Sequence, residues 1–109
     1  MGVVDDSGNN AEQEWVRPEI ERLVEALKGM LFRKNTDYGM SAFKSPPLAP
    51  DLPPEAAILV RIGDKIGRLQ TIAKNKTLKE TGERYEDTMW DLAGYIILYF
   101  AAINNPYRN

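Results

Sequence analysis

Four charged residues crowd the stretch "LVRIGDKIGRLQTIAKN", residues 59–75: Arg61, Asp64, Lys65 and Arg68. On a helix advancing ~100° per residue they share one arc. Three cations around one acid suit phosphate, because Arg offers a planar fork of donors and Lys a point charge. The same pattern also suits a solvated face beside closely packed helices. A second group lies in "YEDTMWDLAGY", residues 85–95, where Asp87 and Asp91 stand four residues apart on one face. Like charges at this spacing destabilise a helix by a few tenths of a kcal/mol. Beyond Asp91 the chain turns apolar, so this acid lies near a core and needs a partner. Two partners are open to it. One is the Arg61, Lys65, Arg68 face, giving an ion-pair network. The other is a divalent cation held by carboxylates.

The elements that must position these groups are helical. A first helix is expected from about Pro18 to Lys34, because Pro suits the first helical position. Its residues Ile20, Leu23, Val24, Leu27, Met30 and Leu31 repeat at helical spacing. The segment from Asn35 to Pro54 carries five prolines, which forbid a continuous helix or a central strand. A loop this long in a small domain is commonly functional, and Tyr38, Met40 and Phe43 give it anchors. A second helix is expected from about Glu55 to Lys74. Its apolar arc holds Ile58, Leu59, Ile62, Ile66, Leu69 and Ala73. Gly63 and Gly67 form a strip without side chains on the remaining side. Asn75 to Gly82 reads as a polar connection, and a third helix as running from about Glu83 to Ile103. Its second half, "YIILYFAAI", is apolar nearly all round, too apolar to be exposed on any side. Nothing reads as a sheet. The expected fold is all-α: one small bundle over residues 15–109, completed by self-association, after a disordered segment 1–14.

Composition excludes whole classes of chemistry. The 109 residues hold no Cys and no His. A Cys nucleophile, a Ser-His-Asp triad, a His base and a Cys/His zinc site are therefore ruled out. Any metal would be a hard cation on oxygen ligands, Mg²⁺ or Mn²⁺. A net charge of -2 argues against long nucleic acid as a partner. The first residues, "MGVVDDSGNN", lack the basic and apolar regions of a signal peptide. Asp6 stands where a myristoylation signal needs Ser or Thr. The longest apolar run is too short for a bilayer. A cytoplasmic protein without a membrane partner is expected, in the host cytoplasm if phage-encoded.

Three segments together resemble a known family. "KNTDYGMSAF" (34–43), "ILVRIGDKIGRLQTIAKN" (58–75) and "YEDTMWDLAGYIIL" (85–98) resemble the nucleotide-modification-associated domain, a phage and bacterial domain linked to phage nucleotide metabolism. The pattern is K-x-x-D-Y-G, then R-x-x-D-K-x-x-R, then D-T-x-x-D-L-A-x-Y. A more distant similarity is to the all-α, Mg²⁺-dependent nucleoside triphosphate pyrophosphohydrolases of the MazG and dimeric dUTPase type. Those use E-x-x-E and E-x-x-D helices as metal ligands. Here Arg61 stands where an acid is expected, and the third helix carries D-x-x-x-D.

The resemblance implies that the charged positions form a site for free nucleotides. Lys34, Arg61, Lys65 and Arg68 would hold phosphates. Tyr38, Trp90 and Tyr95 would stack on a base. Asp64, Asp87 and Asp91 would hold Mg²⁺, which would assist hydrolysis of a phosphoanhydride. Two further readings stand beside this one. The protein could bind a nucleotide or cyclic nucleotide without catalysis, sequestering it and so countering host immune signalling. It could also serve as an accessory subunit of a nucleotide-modifying enzyme.

Overall fold

A computed structural model describes residues 13–37, 40–75 and 78–108, the side chains of 37, 75 and 78–84 excepted. The segment expected to be disordered lies outside the described residues up to position 12. The fold is all-α, with three helices: α1, Val16–Asp37; α2, Pro54–Asn75; and α3, Leu78–Ile103. Among the described residues there is no strand, and no helix is long and apolar enough to cross a membrane. The polar connection expected from Asn75 to Gly82 is shorter than that reading. Residues 78–82 are already in α3, so only positions 76 and 77 lie between the two helices. Polarity alone does not end a helix where no proline intervenes.

α2 and α3 form an antiparallel hairpin. The less exposed positions of α2 include Glu55, Ile58, Ile62, Lys65, Leu69 and Ile72. Those of α3 include Thr88, Asp91, Tyr95, Leu98 and Ala102. Both series alternate steps of three and four, the spacing of a coiled-coil seam. Ile58 (2% exposed) and Ala102 (4%) mark its most buried apolar point. At the open end Arg108 Nη2 donates to Glu55 Oε1 at 2.8 Å. Its Nη1 donates to the Ile103 carbonyl at 3.2 Å, satisfying an end carbonyl of α3.

Antiparallel helices rotate in opposite senses seen from one end. Positions about a quarter turn past the seam on both helices therefore fall on one side of the hairpin. One side of this hairpin carries Arg61 of α2 with Asp91 and Gly94 of α3, and here α1 docks. Gly94 is buried. A Cβ there would stand 3.2 Å from both Leu31 Cδ2 and Met30 Cε, so the missing side chain is what lets α1 approach. The proline-rich connection covers the same side. It opens with a 3₁₀ turn, Ser41–Phe43, and two further turns follow, with Ala49 N–H donating to the Pro46 carbonyl and Leu52 N–H to that of Ala49, both at 3.0 Å.

One expectation about burial needs correction. The apolar stripe of α1 is present, but only its C-terminal end docks. Ile20 (54% exposed), Leu23 and Val24 face solvent, because the hairpin's seam is closed by its own two helices. The second half of α3 was expected to need self-association to cover every side of it. In one chain Ile96, Ile97 and Phe100 remain 41–54% exposed. Among the described residues, no third element packs against the side of the hairpin away from α1.

If Gly94 sets the approach of α1, Gly94→Leu should push α1 away and leave the hairpin intact. Overpacking of this kind costs about 1–3 kcal/mol. Limited proteolysis should then cut within residues 16–37 faster than in the parent protein, with little change in helicity by circular dichroism. Unchanged protection of α1 would show that Gly94 does not control docking.

Candidate functional site

A cavity of about 560 Å³ opens where α1, the proline-rich loop and the α2–α3 hairpin meet. Its apolar lining comes from Met30 and Leu31 of α1, Pro46 and Pro47 of the loop, and Ile58 and Leu98 of the hairpin, with Tyr95 beside them. Three cations, Lys34, Lys44 and Arg61, and one acid, Asp91, also line it. The cavity therefore pairs an apolar interior with an excess of positive charge. Its volume falls within the ~300–1,000 Å³ of small-molecule sites.

Asp91 is the hinge of this arrangement. Lys34 Nζ of α1 reaches its Oδ1 at 3.1 Å, and Lys65 Nζ of α2 reaches its Oδ2 at 3.3 Å. One carboxylate thus joins all three helices. Lys65 occupies a seam position and spends its ammonium inside the hairpin. Burial pushes the Asp91 carboxyl up, but the hydrogen bonds and charges of Lys34 and then Lys65 outweigh it, holding the group below its ordinary value of 3.8.

The residues expected to act together are only partly assembled. Lys34, Arg61 and Tyr95 line the cavity. Lys65 does not line it and is paired with Asp91. Arg68 is exposed and lies seven residues beyond Arg61, about 10 Å along the helix. Trp90 lies in a separate shallow groove with Tyr85, Glu86, Met89 and Ala93. Tyr38 and Gly39 lie outside the described residues. Asp64 and Asp87 are exposed on different helices. Among the described residues, no group of three or more acids comes together to hold a metal ion. The donor set of Asp64, Asp87 and Asp91 does not fit a shared Mg²⁺, because each Asp91 oxygen already faces an ammonium. Of the two partners open to Asp91 in sequence, the structure shows the cationic one, with Lys34 in place of the arginines.

Lys44 was not singled out by sequence reasoning. Its only signal was a lone cation set among prolines and an aromatic, "FKSPP". Gly63 and Gly67 have nothing within 4 Å of a Cβ position. They face away from the cavity, so neither serves close approach of a ligand there.

The lowered Asp91 group carries a sign. Its contribution to stability is present above its unfolded value and is lost as pH falls through the folded one. Acid titration of unfolding should show this loss, and Asp91→Asn should flatten that part of the profile. An Asp91→Asn profile parallel to the parent's would show that the triad contributes nothing to acid stability. Compared with known proteins, the chain matches no family model, no curated protein and no solved structure.

Proposed function

We propose that the cavity binds a free nucleotide. The observation that carries this reading is the combination on one wall-to-wall surface: an apolar interior with Tyr95, and Lys34, Lys44 and Arg61 around it. A base is a flat apolar ring that stacks on an aromatic side chain. A phosphate is an anion that two or three donors from different elements can hold. Arg61 is the main phosphate anchor in this reading, because its fork can bond two oxygens at once. Lys34 holds one lone pair of Asp91 and is half-exposed, so it can turn part of its charge toward a second anion.

Binding without hydrolysis is the form of this reading that the site supports best. Asp91 is already engaged on both oxygens by lysines. A carboxylate in that state is poorly placed to hold a metal or to activate water. A sequestering protein needs only cations and a stacking surface, and both are present. Phage-type nucleotide metabolism and interference with nucleotide signalling are the settings that the sequence resemblance suggests for it.

A thermal-shift screen over nucleoside mono-, di- and triphosphates and cyclic dinucleotides, with and without Mg²⁺, tests the reading. A ligand at 100 times its Kd should add about 2.7 kcal/mol of stability. Arg61→Ala should weaken the best ligand by roughly tenfold or more, about 1.4 kcal/mol, and leave the melting temperature of the free protein near the parent's. Affinity by calorimetry should be the same in Mg²⁺ and in EDTA. A large gain with Mg²⁺, accompanied by release of phosphate or pyrophosphate, would replace this reading with the hydrolytic one.

A further inference from the structure

The hairpin side opposite the cavity is a continuous apolar surface. α2 contributes Leu59 (50% exposed) and Ile66 (44%), and α3 contributes Tyr85 (40%), Met89 (46%), Ile96 (41%) and Phe100 (54%). By the antiparallel geometry Leu59, Ile66, Tyr85, Met89 and Ile96 lie past the seam on the side away from α1, and Phe100, two residues from both Leu98 and Ala102, stands at the outer edge of that side. Val60, also about half exposed, continues the surface at the other outer edge, whereas Ile97, three residues from Gly94, belongs to the side that faces α1. Fully burying side chains of this size removes about 150–250 Å² for each aromatic and somewhat less for each aliphatic. Seven of them about half exposed therefore present on the order of 600 Å² of apolar surface. That is at the top of the ~300–600 Å² of the largest patch on a typical monomer. It is about three-quarters of the ~800 Å² that each partner contributes to a standard interface.

We propose that this face is covered by a second copy of the same chain. The two hairpins then meet back to back as a four-helix bundle, with α1 and the cavity outward on each copy. Three features favour a second copy over a different partner. Among the described residues the face is almost free of charge, with Lys74 and Glu86 only at its border, so one face can meet an identical one without like-charge repulsion, as a two-fold interface requires. Its area approaches what one symmetric contact uses. Gly63 and Gly67 border Leu59 and Ile66 with open space where their side chains would be, so a second backbone can come close. The inference does not rest on the nucleotide reading, because it uses the other side of the hairpin.

The chain has no cysteine, so a single introduced one reports its own position. Sedimentation equilibrium of the full chain at micromolar concentration should give twice the 12.3 kDa of one chain. A short bis-maleimide should cross-link Ile96→Cys across copies in high yield. It should not cross-link Leu48→Cys, on the fully exposed loop of the other side. Should Ile96→Cys fail to fold, Met89→Cys takes its place with the same expectation. Combining Met89→Glu with Ile96→Glu should convert the protein to monomer with its helicity retained. A monomeric mass for the parent protein overturns the proposal, as does a dimer that cross-links through Leu48→Cys and not through the α3 positions. Recovery of the parent only with a different protein at this face overturns it as well.

Discussion

A carboxylate at the edge of a core must find compensation, and here the compensation comes from two helices at once. Asp91 is offered by α3, and it is answered by Lys34 of α1 and Lys65 of α2. Most exposed ion pairs contribute under about 1 kcal/mol because water already solvates both partners. What distinguishes this group is its position rather than its strength. It stands where three helices converge and only there can both of its oxygens be satisfied. The register of the hairpin and the placement of α1 are both tied to it. The cavity opens beside it, because helices held together by a polar junction do not close over it as they would over leucine.

The polar pair also interrupts an otherwise apolar seam. Ile58, Ile62, Leu69 and Ile72 would pack against α3 in more than one register, since their sizes and spacings are alike. A lysine and an aspartate at matched seam positions penalise any slip that leaves either one unpaired in the interior. The seam therefore gives up some packing at one layer and gains alignment along its length. That alignment brings Arg61 and Tyr95 to one cavity from two helices.

Much of the fold was legible in the sequence, and the reasons are local. The proline cluster, the helical repeat of Ile58 to Ala73 and the apolar run after Asp91 each declare their element without knowledge of the rest, although Leu59, Ile66 and Ala73 of that repeat are exposed and Lys65 and Ile72 take seam positions instead. The start of α3 was misplaced because the polar residues before Gly82 look like a connection. Their helical state comes from continuation of the helix rather than from any pattern of their own. At the site, spacing grouped Arg61, Asp64, Lys65 and Arg68 as one face and offered it as a partner for Asp91; only Lys65 of that face pairs with Asp91, and spacing could not divide the four between cavity, seam and solvent. That division depends on where the partner helix lies. Lys34 as a partner of Asp91 was beyond reach, since fifty-seven residues separate them. Trp90 entered as a stacking residue only through the resemblance, which says nothing of its rotation about the helix. The helical rotation that carries Asp91 inward carries Trp90 to another side.

The loop that walls the cavity has a thermodynamic consequence. Pro46, Pro47, Pro50, Pro53 and Pro54 fall within nine residues, and no glycine lies between Met40 and Ile62. Each proline fixes φ before folding begins, so the unfolded segment has fewer conformations to surrender. Ordering a residue ordinarily costs roughly 1–2 kcal/mol of backbone entropy, and here part of that restriction is built into the covalent chain. A small molecule bound as proposed would meet a wall already in place, and its binding energy would not go into arranging one.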